Sequence, residues 1–122
     1  MKKITGVYVN ADEHSATTRE IEASLDSYYR LLDVDCIDIV TRQIGGKYFD
    51  IICDDEALLK ADPEPTMIDG SCNVLLCGNL FICSHKGAEL ASITKADVKR
   101  ILGSIRAVLT RNGVKEFVVG DY

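Results

Sequence analysis

Residues 36–53 read CIDIVTRQI, then GG, then KYFDIIC. Two runs rich in Ile, Val, Thr, Tyr and Phe around Gly45-Gly46 are the sequence signal of a β-hairpin. A two-residue turn needs φ > 0 at its centre, and glycine takes that conformation without a Cβ clash. Such a turn also fixes the register, so Val40 should face Ile51 and Arg42 should face Phe49. An antiparallel pair in the middle of the chain sets the fold class, and the flanking segments are read outward from it.

Upstream, Lys3–Asn10 alternates as a strand, with Ile4, Gly6 and Tyr8 on one face and Thr5, Val7 and Val9 on the other. Residues 11–16 are mostly polar and read as a loop. The stretch TTREIEASLDSYYRLLD (17–33) admits two readings. Ile21, Leu25, Tyr28 and Leu32 sit at helical spacing, so one helix is an option. Alternatively, residues 17–23 form a strand and Ser24 caps a short helix through Asp33. The β-branched Thr17, Thr18 and Ile21, and the quality of serine as a cap, favour strand then helix.

Downstream, residues 54–69 carry six acids and one lysine, a local charge of −5 that equals the net charge of the whole chain. Pro63 and Pro65 fall here, and each removes a ladder donor. The expectation is one helical turn over 55–60 and then an extended surface loop. Residues 74–83 are apolar on both faces, either one central strand with a glycine bulge or a hairpin about Gly78-Asn79. Residues 85–91 read as a polar connection. Thr94-x-x-Asp97 opens a helix with a capping-box-like start, and Val98, Ile101, Leu102, Ile105, Val108 and Leu109 form one apolar stripe. Asn112-Gly113 would end that helix, and 115–119 reads as a closing strand.

Composition narrows the function classes. The chain has 122 residues, 47% apolar content and a mean hydropathy of +0.05, as expected of one globular domain spanning 1–122. A surplus of acids over bases and a pI near 4.9 argue against a general nucleic-acid binder, so nucleic acid is not an expected partner. No secretory or membrane-spanning pattern is visible, because the apolar start meets Asn10, Asp12 and Glu13 and the run 74–83 is interrupted by Gly78-Asn79. Five cysteines with no CxxC, four of them inside apolar stretches, read as core filler in a reducing compartment. A cytoplasmic protein is expected.

The order of pieces from Ile21 to about Ile101 resembles the family catalogued as domain of unknown function 3846. The pieces are REIEASLDSYYRLLD, the hairpin CIDIVTRQIGGKYFDIICDDEALL, the proline loop KADPEPT, the apolar VLLCGNLFIC and the helix entry KGAELASITKADV. Members of that family occur in bacteria and phages, often among mobile-element genes, and have no assigned activity. The resemblance therefore implies a fold and a setting, and supplies no catalytic residues.

The candidate chemistry is thin. Cys72, Cys77, Cys83 and His85 are ligand types without zinc spacing, and on one continuous strand Cys77 and Cys83 would stand about 20 Å apart. Cys83 and His85 share a side of a strand, which raises a thiol nucleophile, whereas a buried Cys beside a solvated His is the simpler reading. Asp54, Asp55 and Glu56 are consecutive, not convergent, so a catalytic carboxylate pair is not indicated. Gly45-Gly46-Lys47 resembles the tail of a phosphate loop but lacks its first glycine and its Ser/Thr. Lys95, Lys99, Arg100, Arg106 and Arg111 would border the stripe of the last helix as a solubilising face.

These readings give an α+β fold, with a mixed, mostly antiparallel sheet and two helices packed on one face; a ferredoxin-like arrangement is the alternative if 17–33 is a single helix. No catalytic residue, metal or cofactor is assigned. The leading expectation is a non-enzymatic accessory protein acting by protein–protein contact, with Asp54, Asp55, Glu56, Asp62 and Glu64 as the partner-binding acids. A small-molecule or nucleotide-binding module using Gly78-Asn79 is second, and a thiol-dependent enzyme third. Ile37, Ile39 and Ile52 offer a surface for a homodimer, which the sequence permits without requiring.

Overall fold

In the computed structural model, which describes residues 2–60 and 62–121, Gly45 and Gly46 take φ of 57° and 85°. The strands they join are β3 (Ile37–Ile44) and β4 (Lys47–Asp54), and Val40 pairs with Ile51 and Arg42 with Phe49 as the turn requires. The turn is itself clamped. The Gly45 and Gly46 amides donate to the two carboxylate oxygens of Asp121 at 3.2 and 2.7 Å, and Lys47 Nζ meets Asp97 at 2.7 Å.

Around this hairpin lie β1 (Lys3–Asn10), β2 (Ser15–Glu22) and α1 (Leu25–Leu32) before it. After it come a 3₁₀ turn (Ala57–Leu59), β5 (Pro65–Ile68), β6 (Val74–Cys77), β7 (Leu80–Lys86), β8 (Glu89–Ala91), α2 (Lys95–Leu102), β9 (Ile105–Thr110) and β10 (Gly113–Val119). The larger sheet runs β2-β1-β7-β4-β3, with β8 also paired to β7, and its pairings are antiparallel. The smaller sheet runs β6-β5-β10-β9 and contains the parallel pair β5·β10. The fold is α+β and mostly antiparallel.

Strand β4 explains the layering. Its neighbours Ile51 and Ile52 are both fully buried, although adjacent strand residues point to opposite faces. On one face Ile52 packs with Ile4, Tyr8 and Phe81 under Tyr28 and Leu32 of α1. On the other, Phe49, Ile51 and Cys53 pack with Val7, Val9, Leu80 and Ile82 against Met67 and Val118 of the smaller sheet and Ile101 of α2. The two helices therefore sit on opposite faces, correcting the expectation of one helical face. The apolar face opposite α1 needs a cover, and α2 and a second sheet provide it.

Other expectations change for identifiable reasons. Ser24 caps α1 by accepting from the Ser27 amide, so 17–33 divides into strand and helix, and the ferredoxin-like alternative falls. The last helix ends at Leu102. The Gly103 amide donates to the Lys99 carbonyl, the Ser104 hydroxyl donates to the Arg100 carbonyl, and Ile105 then starts a strand opposite Val118. Ile105 and Leu109 are four apart, a spacing that places two residues on one side of a helix and also on one side of a strand. Arg106 and Arg111 thus belong to the β9–β10 hairpin and not to a helical face. Pro65 does not keep 65–68 in a surface loop: it stands at the first residue of β5, where a missing donor is tolerated, and Thr66, Met67 and Ile68 are buried.

Residues 74–83 are neither one strand nor a hairpin. Strand β6 joins the smaller sheet and β7 the larger, and Gly78 (φ 81°) and Asn79 carry the chain between them. Residues 85–91 complete β7 and its hairpin with β8 around Gly87 (φ 63°). Ile52 is buried and Ile37 half-buried, which leaves Ile39, on edge strand β3, as the exposed member of the trio considered for dimer contacts.

Gly6 on β1 permits a close approach of the chain to β7. A Cβ there would lie 2.5 Å from the Ile82 carbonyl oxygen and 2.6 Å from the Phe81 ring. Gly6→Ala is expected to destabilise the protein by roughly 1–3 kcal/mol through overpacking. Urea unfolding should show a lower midpoint at unchanged slope.

Candidate functional site

The acidic segment is built in two parts. Asp54 ends β4 and is 8% exposed; one oxygen accepts from the Glu56 amide at 2.9 Å and the other meets Lys60 Nζ at 2.7 Å. These contacts turn the chain into the 3₁₀ turn, so Asp54 serves the fold. Glu64 is also engaged. Its Oε1 accepts from Lys115 Nζ at 2.9 Å and meets His14 Nε2 at 2.6 Å, and these contacts, Lys115 first, hold its carboxyl below the usual range against the opposing effect of burial. Asp55, Glu56 and Asp62, the remaining acids of the expected set, are exposed.

The fold adds acids that the sequence keeps apart. Asp33 ends α1 in the left-handed region (φ 56°), its amide donating to the Tyr29 carbonyl, and presents its carboxylate to the same end of the molecule. Asp12, from the β1–β2 loop, and Asp33, Asp54, Asp62 and Glu64 line one cleft of about 220 Å³. An adjoining cleft of about 480 Å³ shares Asp33, Asp54 and Lys60 and adds Asp35 and Glu56. Asn79 holds the two contributing segments in place: its side-chain oxygen accepts from the Ala11 amide at 2.8 Å and its amide donates to the Leu32 carbonyl at 3.0 Å. Asp12, Asp33 and Asp35 escaped the sequence reading because only the packing of α1 and the β1–β2 loop beside β4 brings them together.

His14 differs from a solvated loop residue. Its side chain is 6% exposed, Nδ1 donates to the Glu116 carbonyl at 3.1 Å, and the ring packs edge-on against Phe117 at 5.1 Å between centroids. His85 lies on β7 and not in a connection. Its Nδ1 bonds Asp50 at 2.9 Å, Asp50 accepts from the Thr41 hydroxyl at 3.1 Å, and Cys83 pairs across the ladder with Asp50. A thiol, a carboxylate and an imidazole therefore share one sheet face. However, Cys83 is fully buried, and burial followed by the Asp50 charge pushes its thiol up to about 12. A thiol in that state offers almost no thiolate at neutral pH. Burial, then Asp38, likewise raises Cys53 to about 11.

The ligand-type side chains Cys72, Cys77, Cys83 and His85 are dispersed over the fold. Cys72 sits at an exposed turn (φ 66°) near Arg106, Cys77 lies in the smaller sheet, and Cys83 and His85 lie in the larger. Among the described residues no group of three or more His, Cys, Asp or Glu is arranged to hold a metal ion. Among the described residues no helix is long and apolar enough to cross a membrane.

Two measurements check these assignments. Iodoacetamide should label Cys36 and Cys72 in the native protein, with Cys53, Cys77 and Cys83 reacting only on unfolding; rapid native labelling of Cys83 would contradict its burial. Glu64 has a depressed folded pKa, so its contribution to stability is present above its ordinary value of 4.5 and is lost as pH falls through the folded value. Acid titration monitored by circular dichroism should therefore show a smaller loss of stability for Glu64→Gln than for the wild-type chain, from a lower starting point.

A family model described as domain of unknown function (DUF3846) matches residues 3–106. The match spans the larger sheet, both helices and the start of β9. Neither the curated proteins nor the solved structures yield a match.

Proposed function

The chain belongs to the DUF3846 family, and we propose that it is a non-enzymatic binding protein whose acidic end docks a basic segment of a protein partner. One observation carries this reading: Asp12, Asp33, Asp35, Glu56 and Asp62, from separate parts of the chain, are exposed around two adjoining clefts, and none forms an ion pair among the described residues. Two cations border these clefts, Lys60, which Asp54 engages, and Arg30; the carboxylates outnumber them and favour a cationic partner, and their summed field speeds its approach. Asp54 and Glu64 leave the binding set because Lys60, Lys115 and His14 already occupy them; they hold the surface in shape. A cytoplasmic location fits the five free thiols, three of which fill the core. A bacterial mobile-element setting belongs to the same proposal.

The alternative of a ligand at Gly78-Asn79 has less support. The Gly78 amide donates to the Glu64 carbonyl, its own carbonyl accepts from Thr66, and both ends of the Asn79 side chain are engaged. That point of close approach is occupied by the chain itself.

Fluorescence anisotropy with a labelled Lys-rich peptide tests the reading. Binding should weaken as salt rises, and a variant with Asp12, Asp33, Asp35 and Asp62 changed to Asn and Glu56 changed to Gln should bind at least about tenfold more weakly with the fold intact. Equal affinity in the variant would overturn it.

A further inference from the structure

Strands β1 and β2 and helix α1 border a third cleft, shallow and open to solvent, of about 600 Å³, on the α1 face of the larger sheet. Two arginines line it, Arg19 from β2 and Arg30 from α1, and neither forms an ion pair within 4 Å among the described residues. Arg19 stands across the ladder from Gly6, which has no side chain to oppose it, and its guanidinium lies 5.2 Å from the centre of the Tyr8 ring. That stacking orients the group without neutralising it.

The neighbouring polar groups are also arranged to donate. The Tyr8 hydroxyl oxygen accepts from Asn10 at 3.2 Å, which leaves its proton free. The Ser27 hydroxyl oxygen accepts from Ser24 at 3.0 Å, which leaves its proton free as well. Ile21 and Leu31 provide apolar wall, and Glu22 is the one carboxylate among the lining residues. Two unneutralised guanidinium forks beside two hydroxyl donors complement an oxyanion with several acceptor oxygens and more than one negative charge.

We propose that this cleft binds a phosphate group carried by a small molecule. Its volume suits a compact ligand. The surroundings disfavour a polyanion, because Arg30 also borders the acidic cleft with Asp33 and Asp35, and an extended nucleic-acid backbone leaving the arginines would meet those carboxylates. The site is independent of the acidic docking surface and shares only Arg30 with its clefts.

Amide NMR titration of the full chain tests this with inorganic phosphate, pyrophosphate, adenosine monophosphate and a single-stranded oligonucleotide, each at matched ionic strength. The expected result is saturable shifts centred on residues 8, 10, 19, 27 and 30. Stronger shifts with the mononucleotide than with the free anions support a carried phosphate, and shifts with the free anions alone would overturn it. Arg19→Lys and Arg30→Lys keep the charge but lose the bidentate fork, and each should weaken binding by about tenfold; the double alanine variant should abolish it. Both arginines are exposed, so unchanged amide shifts elsewhere will report an intact fold. No saturable shift with any compact anion, undiminished binding in the double alanine variant, or tighter binding of the oligonucleotide than of the mononucleotide would overturn the proposal.

Discussion

The burial of β4 on both faces is the constraint from which the architecture follows. A strand that carries Phe49, Ile51 and Cys53 to one side and Ile52 to the other cannot be satisfied by a single helical layer. It sits between β3 and β7, α1 covers one side, and the smaller sheet with α2 covers the other. Each fully buried isoleucine contributes roughly 1.5–3 kcal/mol relative to exposure. The strand also ends at the acidic clefts, so the element that centres the core delivers Asp54 to the surface where the other carboxylates gather.

How much of this was legible in the sequence depended on the range of the interactions. The glycine turn, its register, the Ser24 cap and the Thr94–Asp97 capping box rest on residues a few positions apart, and each appears in the structure as read. The smaller sheet was not legible. It depends on a parallel pairing of β5 with β10, some fifty positions apart, and on a proline placed at a strand's first residue, where its missing donor does no harm. Strand β9 was hidden by a spacing common to helices and strands, and Gly78-Asn79 has the look of a hairpin turn wherever the chain then goes.

The candidate site divides in the same way. Asp55, Glu56 and Asp62 were visible as a run of charge. The internal roles of Asp54 and Glu64 were not, because Lys60, His14 and Lys115 reach them only in the fold. Residues that look reactive in the sequence are mostly structural: Cys83 and Cys53 fill the interior, His14 packs on Phe117, and the two turn glycines donate to the chain's own Asp121. Among the described residues, the charged groups in no ion pair include exposed carboxylates at one end and two arginines beside α1.

Native-state hydrogen exchange tests the central role of β4 most directly. If burial of β4 on both faces holds the two sheets and α1 together, the amides of Ile51, Ile52, Phe81 and Ile82 exchange only through global unfolding, with protection equal to the stability measured in urea, while those of the β9–β10 hairpin tip exchange faster. Exchange of the β4 and β7 amides through a lower-energy opening, with the slowest amides located elsewhere, would contradict the account.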